Sequence, residues 1–165
     1  KLISNKSLKM KIYKFGGTSV GKPERMHQVK ELITRDNEQK IVVLSAVSGT
    51  TNSLVEIGDA LYKNDKVKAI ALIDALYAKY EIFITDLYIA EEFYTKGKEV
   101  IVKQFDVIRG FIEKTFSNLE ERLLLAQGEL ISTQLFITFL FFFFDPLHDR
   151  DIWCYLFFTF SIYHL

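Results

Sequence analysis

Lys14-Phe-Gly-Gly-Thr-Ser19 closes a short apolar run and opens onto a helix start, an order that commits this stretch to a strand, a sharp turn and a helix. Ile12, Tyr13 and Phe15 read as the strand. Gly16 and Gly17 let the backbone turn tightly and bring its N–H groups close to an anion. Pro23 suits the first turn of a helix, where its missing N–H costs nothing. Phosphate-binding loops are built in this way. Gly16 to Lys22 also spells G-x-x-x-x-G-K, but Pro23 stands where a nucleotide-binding P-loop needs a Ser or Thr for Mg²⁺. A Gly-Gly turn that binds nothing is the plainer reading of the same residues.

A second strand narrows the fold. After a gap that fits one helix, Lys40-Ile-Val-Val-Leu44 reads as a buried parallel strand. It opens into Ser45-Ala-Val-Ser-Gly-Thr-Thr-Asn52, a loop rich in hydroxyls and small residues. Two strands that end in polar, Gly-bearing loops predict an α/β sheet. Both loops would then face one crevice outside the carboxyl ends of the strands, where open α/β sheets bind ligands.

Three segments, KFGGTSVG at 14–21, VVLSAVSGTTN at 42–52 and GELIS at 128–132, stand in a telling order and spacing. With them the chain from Met10 to about Phe136 resembles the N-terminal part of aspartate kinase, of the amino-acid kinase fold. The resemblance implies a mostly parallel sheet flanked by helices. It also implies an ATP-dependent phosphotransferase with a carboxyl group as acceptor, converting L-aspartate to its 4-phosphate on the way to lysine, threonine and methionine. By the same resemblance Lys14 contacts the transferring phosphates, and Gly16, Gly17 and Thr18 enclose them. Ser45 and Thr51 fall in the second loop, Ser45 on the phosphate side and Thr51 as a contact to aspartate. Glu129 matches the glutamate that binds the substrate's amino group. Mg²⁺ is expected to arrive with ATP rather than on a metal site of the chain. The parent enzyme is expected to be a cytoplasmic homo-oligomer.

These roles make physical sense on their own. Phosphoryl transfer is mostly positioning plus stabilisation of charge on the γ-phosphoryl oxygens, so a fixed ammonium and convergent N–H groups are the parts required. Lys14 supplies the ammonium. A carboxylate just after Gly128, at a helix start, is favoured by the helix dipole and pairs with a substrate ammonium while ionised. Other roles suit the same residues. Ser45 and Thr51 also serve as turn or helix caps, and Glu129 also reads as a solvated helix residue.

From 53 to 127 the sequence reads as successive helices. Leu54, Val55, Ile57 and Leu61 give one apolar face, and Ile70, Leu72, Ile73, Leu76, Tyr77 and Tyr80 another. Val100, Val102, Phe105, Ile108, Phe111, Ile112 and Phe116 continue at helical spacing as core. Gly97 marks a boundary between helices, and Gly58 and Gly110 interrupt the pattern. Ser117 with Glu120 makes a capping box that starts a fresh helix through Gln127. Acids and bases number 21 each and are interspersed, which leaves no electrostatic footprint for nucleic acid. His27 falls on a surface helix, far in sequence from His148 and His164, so the histidines form no metal constellation. Cys154 is the only cysteine, which fits a reducing cytosol.

After Phe136 the composition changes. Half of the chain's aromatic residues lie in its last 30 positions, where Arg150 is the only Lys or Arg. Residues 139–144 are low-complexity, and no periodicity organises the residues after them. The two apolar runs are each shorter than a bilayer span and are split by the charged segment 145–151, so a membrane helix is disfavoured. A sticky, exposed tail is expected instead. The expected organisation is therefore an upstream extension (1–9), a truncated kinase domain (10–136) and an aberrant aromatic tail, frameshifted or otherwise foreign (137–165). Three alternatives stand beside it: a non-catalytic relic, a small membrane-associated protein, and another amino-acid kinase.

Overall fold

The structure is a computed structural model that describes residues 10–36, 38, 40–143 and, as backbone, 154–157. The extension 1–9, the charged segment 145–151, His148 and His164 lie outside the described residues. Strand β1 (Lys11–Phe15) leads into a single helical turn, α1 (Gly17–Val20), and then α2 (Pro23–Ile33). Pro23 takes the first position of α2, as its fixed φ requires. Strand β2 (Lys40–Leu44) pairs parallel to β1, with Lys11 opposite Lys40 and Phe15 opposite Leu44. β3 (Cys154–Phe157) pairs parallel to the far side of β2, giving the order β1-β2-β3.

The sheet is smaller than expected, and the fold is mostly helical. Four helices supply the bulk: α3 (Thr50–Tyr62), α4 (Lys66–Leu87), α5 (Glu91–Arg109) and α6 (Asn118–Phe143), with a 3-10 turn at Gly110–Glu113 between the last two. Their apolar faces meet in one core. Ile73, Leu76, Tyr80, Ile84 and Leu87 come from α4, Ile101, Phe105 and Ile108 from α5, and Leu124, Ile131, Leu135 and Phe136 from α6. The predicted stripes hold with local corrections. Val55, Ile70 and Val102 point to solvent, while Ile101 takes the core position beside Val102.

Gly97 is not a boundary. It sits inside α5, where a Cβ would stand 2.2 Å from the Tyr88 ring, so the helix stays continuous and leaves room for an aromatic. Tyr88 in turn donates its hydroxyl to the carbonyl of Leu135 at 2.7 Å, which ties the α4 end to α6. Lys11 and Lys40, opposed across the sheet, are reconciled by acid from the preceding turn. Lys11 pairs with Asp36 at 3.0 Å and with Glu38 at 2.6 Å, and the buried Lys40 also pairs with Asp36. Lys40 and Lys11 hold the Asp36 carboxyl well below the usual carboxylate range.

The capping box forms as expected. The Ser117 N–H donates to Glu120 Oε2 at 3.2 Å, and Ser117 Oγ accepts from the Leu119 N–H at 3.2 Å. Ser117→Ala should cost about 1 kcal/mol, read as a lower urea midpoint at unchanged slope. The helix it starts is far longer than the sequence suggests. α6 passes Phe136 without a break and buries Phe139 and Leu140, so residues 137–143 are not an unorganised tail. His27 likewise is no surface residue: it is half-buried, with its ring edge-on to Phe139 at 4.6 Å. Among the described residues α6 alone is long and apolar enough to cross a membrane, yet half of its most apolar stretch is buried inside this fold.

Candidate functional site

Because β1 and β2 run side by side in the same direction, their carboxyl ends deliver both loops to one place. The Ser45 N–H donates to the Phe15 carbonyl at 2.9 Å, extending the ladder one rung past β2. Gly17 then passes so close to the second loop that a Cβ there would lie 2.9 Å from the Ala46 carbonyl oxygen. At Gly21 a Cβ would meet Ser48 Cβ at 2.7 Å. These two glycines are dictated by the approach of the loops. Gly16 is different: nothing lies within 4 Å of a Cβ built on it, so its backbone is open to a ligand. Ser19 donates its N–H to the Gly16 carbonyl at 2.8 Å, and the Arg25 guanidinium donates to the Thr18 carbonyl. Lys14 and Thr18 are exposed.

The third segment arrives from the opposite side. Gly128 lets α6 seat on the second loop, where a Cβ would lie 2.8 Å from Ala46 Cβ and 3.3 Å from Thr50 Cγ2. Four residues on, Ser132 Oγ donates to the Ser45 carbonyl at 2.8 Å and to the Glu129 carbonyl at 3.1 Å. All three sequence segments thus converge on Ala46. Glu129 is half-buried, and burial pushes its carboxyl up from the ordinary range, offset in part by the N–H groups of Glu129 itself and Ala46.

One expectation fails here. Glu129 stands in the interior of α6 and not at a helix start, so the helix dipole does not hold it. A mid-helix glycine weakens a helix, and Gly128 is tolerated because only hydrogen fits between α6 and Ala46. Thr51 lies exposed in the first turn of α3, and Ser45 is half-buried between the loops.

Beside the second loop a crevice of about 190 Å³ opens, lined by Gly21, Ser48, Gly49, Thr50, Lys79 and Tyr80 among others. Gly49, at φ 84°, makes the left-handed turn that starts α3. Thr50 and Tyr80 are buried and share a hydrogen bond of 2.8 Å between their hydroxyls. Sequence reasoning passes over both. Thr50 adjoins Thr51 and was within reach, as was Ser132 in the GELIS segment. Tyr80 carries no signal, being one apolar position of a helical stripe. Among the described residues no three His, Cys, Asp or Glu side chains come close enough to hold a metal ion.

No protein-family model matches the chain. It is similar to chloroplastic aspartokinase 3 of Arabidopsis thaliana, 32% identical over 137 residues, which are 78% of this chain and 23% of that protein. Lysine-sensitive aspartokinase 3 of Escherichia coli is 29% identical over 142 residues, 86% of this chain and 29% of the relative. The crystal structure of E. coli aspartokinase III with aspartate and ADP superposes with a TM-score of 0.63 at 26% identity, over 80% of this chain and 29% of that one. The chain spans less than a third of the length of each of these relatives. Over most of its own length, the chain is a relative of the aspartokinases that corresponds to their N-terminal region.

Proposed function

We propose that residues 10–136 carry the phosphate- and aspartate-binding part of an aspartate kinase domain, and that the whole domain transfers the γ-phosphoryl of ATP to the side-chain carboxylate of L-aspartate. The observation that carries this reading is the convergence of the two loops and α6 on Ala46. In the proposed reaction an aspartate carboxylate oxygen attacks the γ-phosphorus, the bond to the β–γ bridging oxygen breaks, and ADP leaves. Lys14 neutralises charge on the transferring group, and the open backbone at Gly16 with Gly17 and Thr18 cradles it. Ser45 supports the phosphate side. Thr51 and Glu129 orient the amino acid, Glu129 by pairing with its ammonium. The parent would act in the cytoplasm as a homo-oligomer, with Mg²⁺ entering on the nucleotide.

The short chain is expected to bind without turning over. Titration calorimetry at neutral pH should show binding of ADP and of L-aspartate. Glu129→Ala should weaken aspartate about 10–100-fold, the worth of one charged hydrogen bond, and leave ADP unchanged. Since the Glu129 carboxyl is raised and only its ionised form pairs with an ammonium, aspartate affinity should fall on acidification, beginning above the ordinary glutamate pKa of about 4.3. A chain that binds neither ligand, or a Glu129 variant that loses both alike, would overturn the reading.

A further inference from the structure

The hydroxyls of Thr50 and Tyr80, 30 residues apart in sequence, join α3 to α4 beside the helical turn that carries Thr51. Thr50 is the first residue of α3, after a glycine cap that offers no side-chain hydrogen bond. Its N–H donates to the Val47 carbonyl at 3.0 Å, closing the turn 47–50. Its methyl group faces Gly128 on α6, and its hydroxyl faces Tyr80 on α4. The start of α3 is therefore held from both sides. Tyr80 is 2% exposed, and its ring is fixed edge-on to Phe105 at 5.8 Å, so it provides a rigid anchor point. A phenylalanine would fill the same apolar space. Among the described residues the hydrogen-bond partner of its hydroxyl is Thr50.

We infer that the Tyr80–Thr50 hydrogen bond is a positioning device, which fixes the second loop and the first turn of α3 in the orientation that presents Thr51 to the amino-acid substrate. The inference rests on the proposed function for the identity of that substrate. Tyr80 touches no substrate in this scheme. It acts through Thr50, forming with it one wall of the crevice that Ser48, Gly49 and Lys79 complete. Fixing a loop in advance removes an ordering cost that the substrate would otherwise bear on binding.

The test compares the wild-type chain with Tyr80→Phe and, as a second variant, Thr50→Val, which keeps the methyl contact with Gly128. Amide hydrogen exchange over residues 47–53 and calorimetric affinities for L-aspartate and ADP are the readouts. Both variants should speed exchange in this segment and weaken aspartate about tenfold, with ADP unchanged, as loss of one hydrogen bond implies. Unchanged exchange in both variants overturns the inference. So does an equal loss of aspartate and ADP affinity, which marks a merely structural bond. If the wild-type chain binds ADP but no aspartate, the proposed substrate falls. Faster exchange confined to 47–53 in both variants would then still establish the positioning bond itself.

Discussion

Phe139→Ala should lower the free energy of unfolding by about 3–5 kcal/mol, the usual cost of deleting a fully buried phenylalanine. Phe139 is 1% exposed and packs against the rings of His27 at 4.6 Å and Phe143 at 5.1 Å. Its removal leaves a cavity between α2 and α6 that neither helix can close, since Phe136 and the β2-facing core hold α6 in place. For a chain of this size the melting temperature should fall by about 10 °C or more. The control is Phe142→Ala, four-tenths exposed on the same helix, which should change stability far less. Thermal and urea unfolding followed by circular dichroism would read both. Equal, small effects would mean that the helix beyond Phe136 does not belong to the core.

That comparison bears directly on how much the sequence could disclose. The parallel strands, Pro23 opening α2, the helical stripes and the capping box at Ser117 were legible, because each rests on local chemistry or on period alone. The end of α6 was not. A run such as 139–144 carries no polar face, and without a polar face periodicity cannot separate a buried helix from a sticky tail. Phe139 packs against His27 of α2, which lies more than a hundred residues earlier. Gly97 and Gly128 misled for a related reason. Read locally, a glycine signals a break, but each of these is placed by a partner from elsewhere: the Tyr88 ring for one and Ala46 for the other.

The candidate site divides along the same line. The Gly16–Gly17 loop could be named because it follows a strand and precedes a helix, and the roles of Lys14, Thr18, Ser45, Thr51 and Glu129 through resemblance to a family. That the two loops share one crevice follows from the parallel strands, but the seating of α6 against them could not be read, since it depends on Ala46, a residue with no chemistry of its own. Ala46 matters by being small. It admits Gly17 on one side and Gly128 on the other, and beside the Gly128 contact Ser132 of α6 reaches the Ser45 carbonyl. The electrostatic basis offered for Glu129 was wrong in kind: burial against the second loop, and not a helix terminus, sets its carboxyl.

Lys14→Ala should have the largest effect on catalysis. The measurement needs a complete domain, supplied by a chimaera in which residues 10–136 replace the matching segment of the E. coli lysine-sensitive aspartokinase. There kcat should fall about 10²–10³-fold, the usual cost of removing one preorganised group that stabilises transition-state charge. The KM for aspartate should change little, because the ammonium acts on the phosphoryl group as charge develops and not on the amino acid. Stability should be nearly untouched, since the side chain is exposed on β1 and no hydrogen bond or ion pair ties it to the described residues. Lys14→Arg keeps the charge but spreads it over a planar fork, and should restore only part of the rate. A variant whose kcat matches the parent chimaera would remove Lys14 from the mechanism. A fall in kcat accompanied by a matching fall in melting temperature would reassign it to the fold.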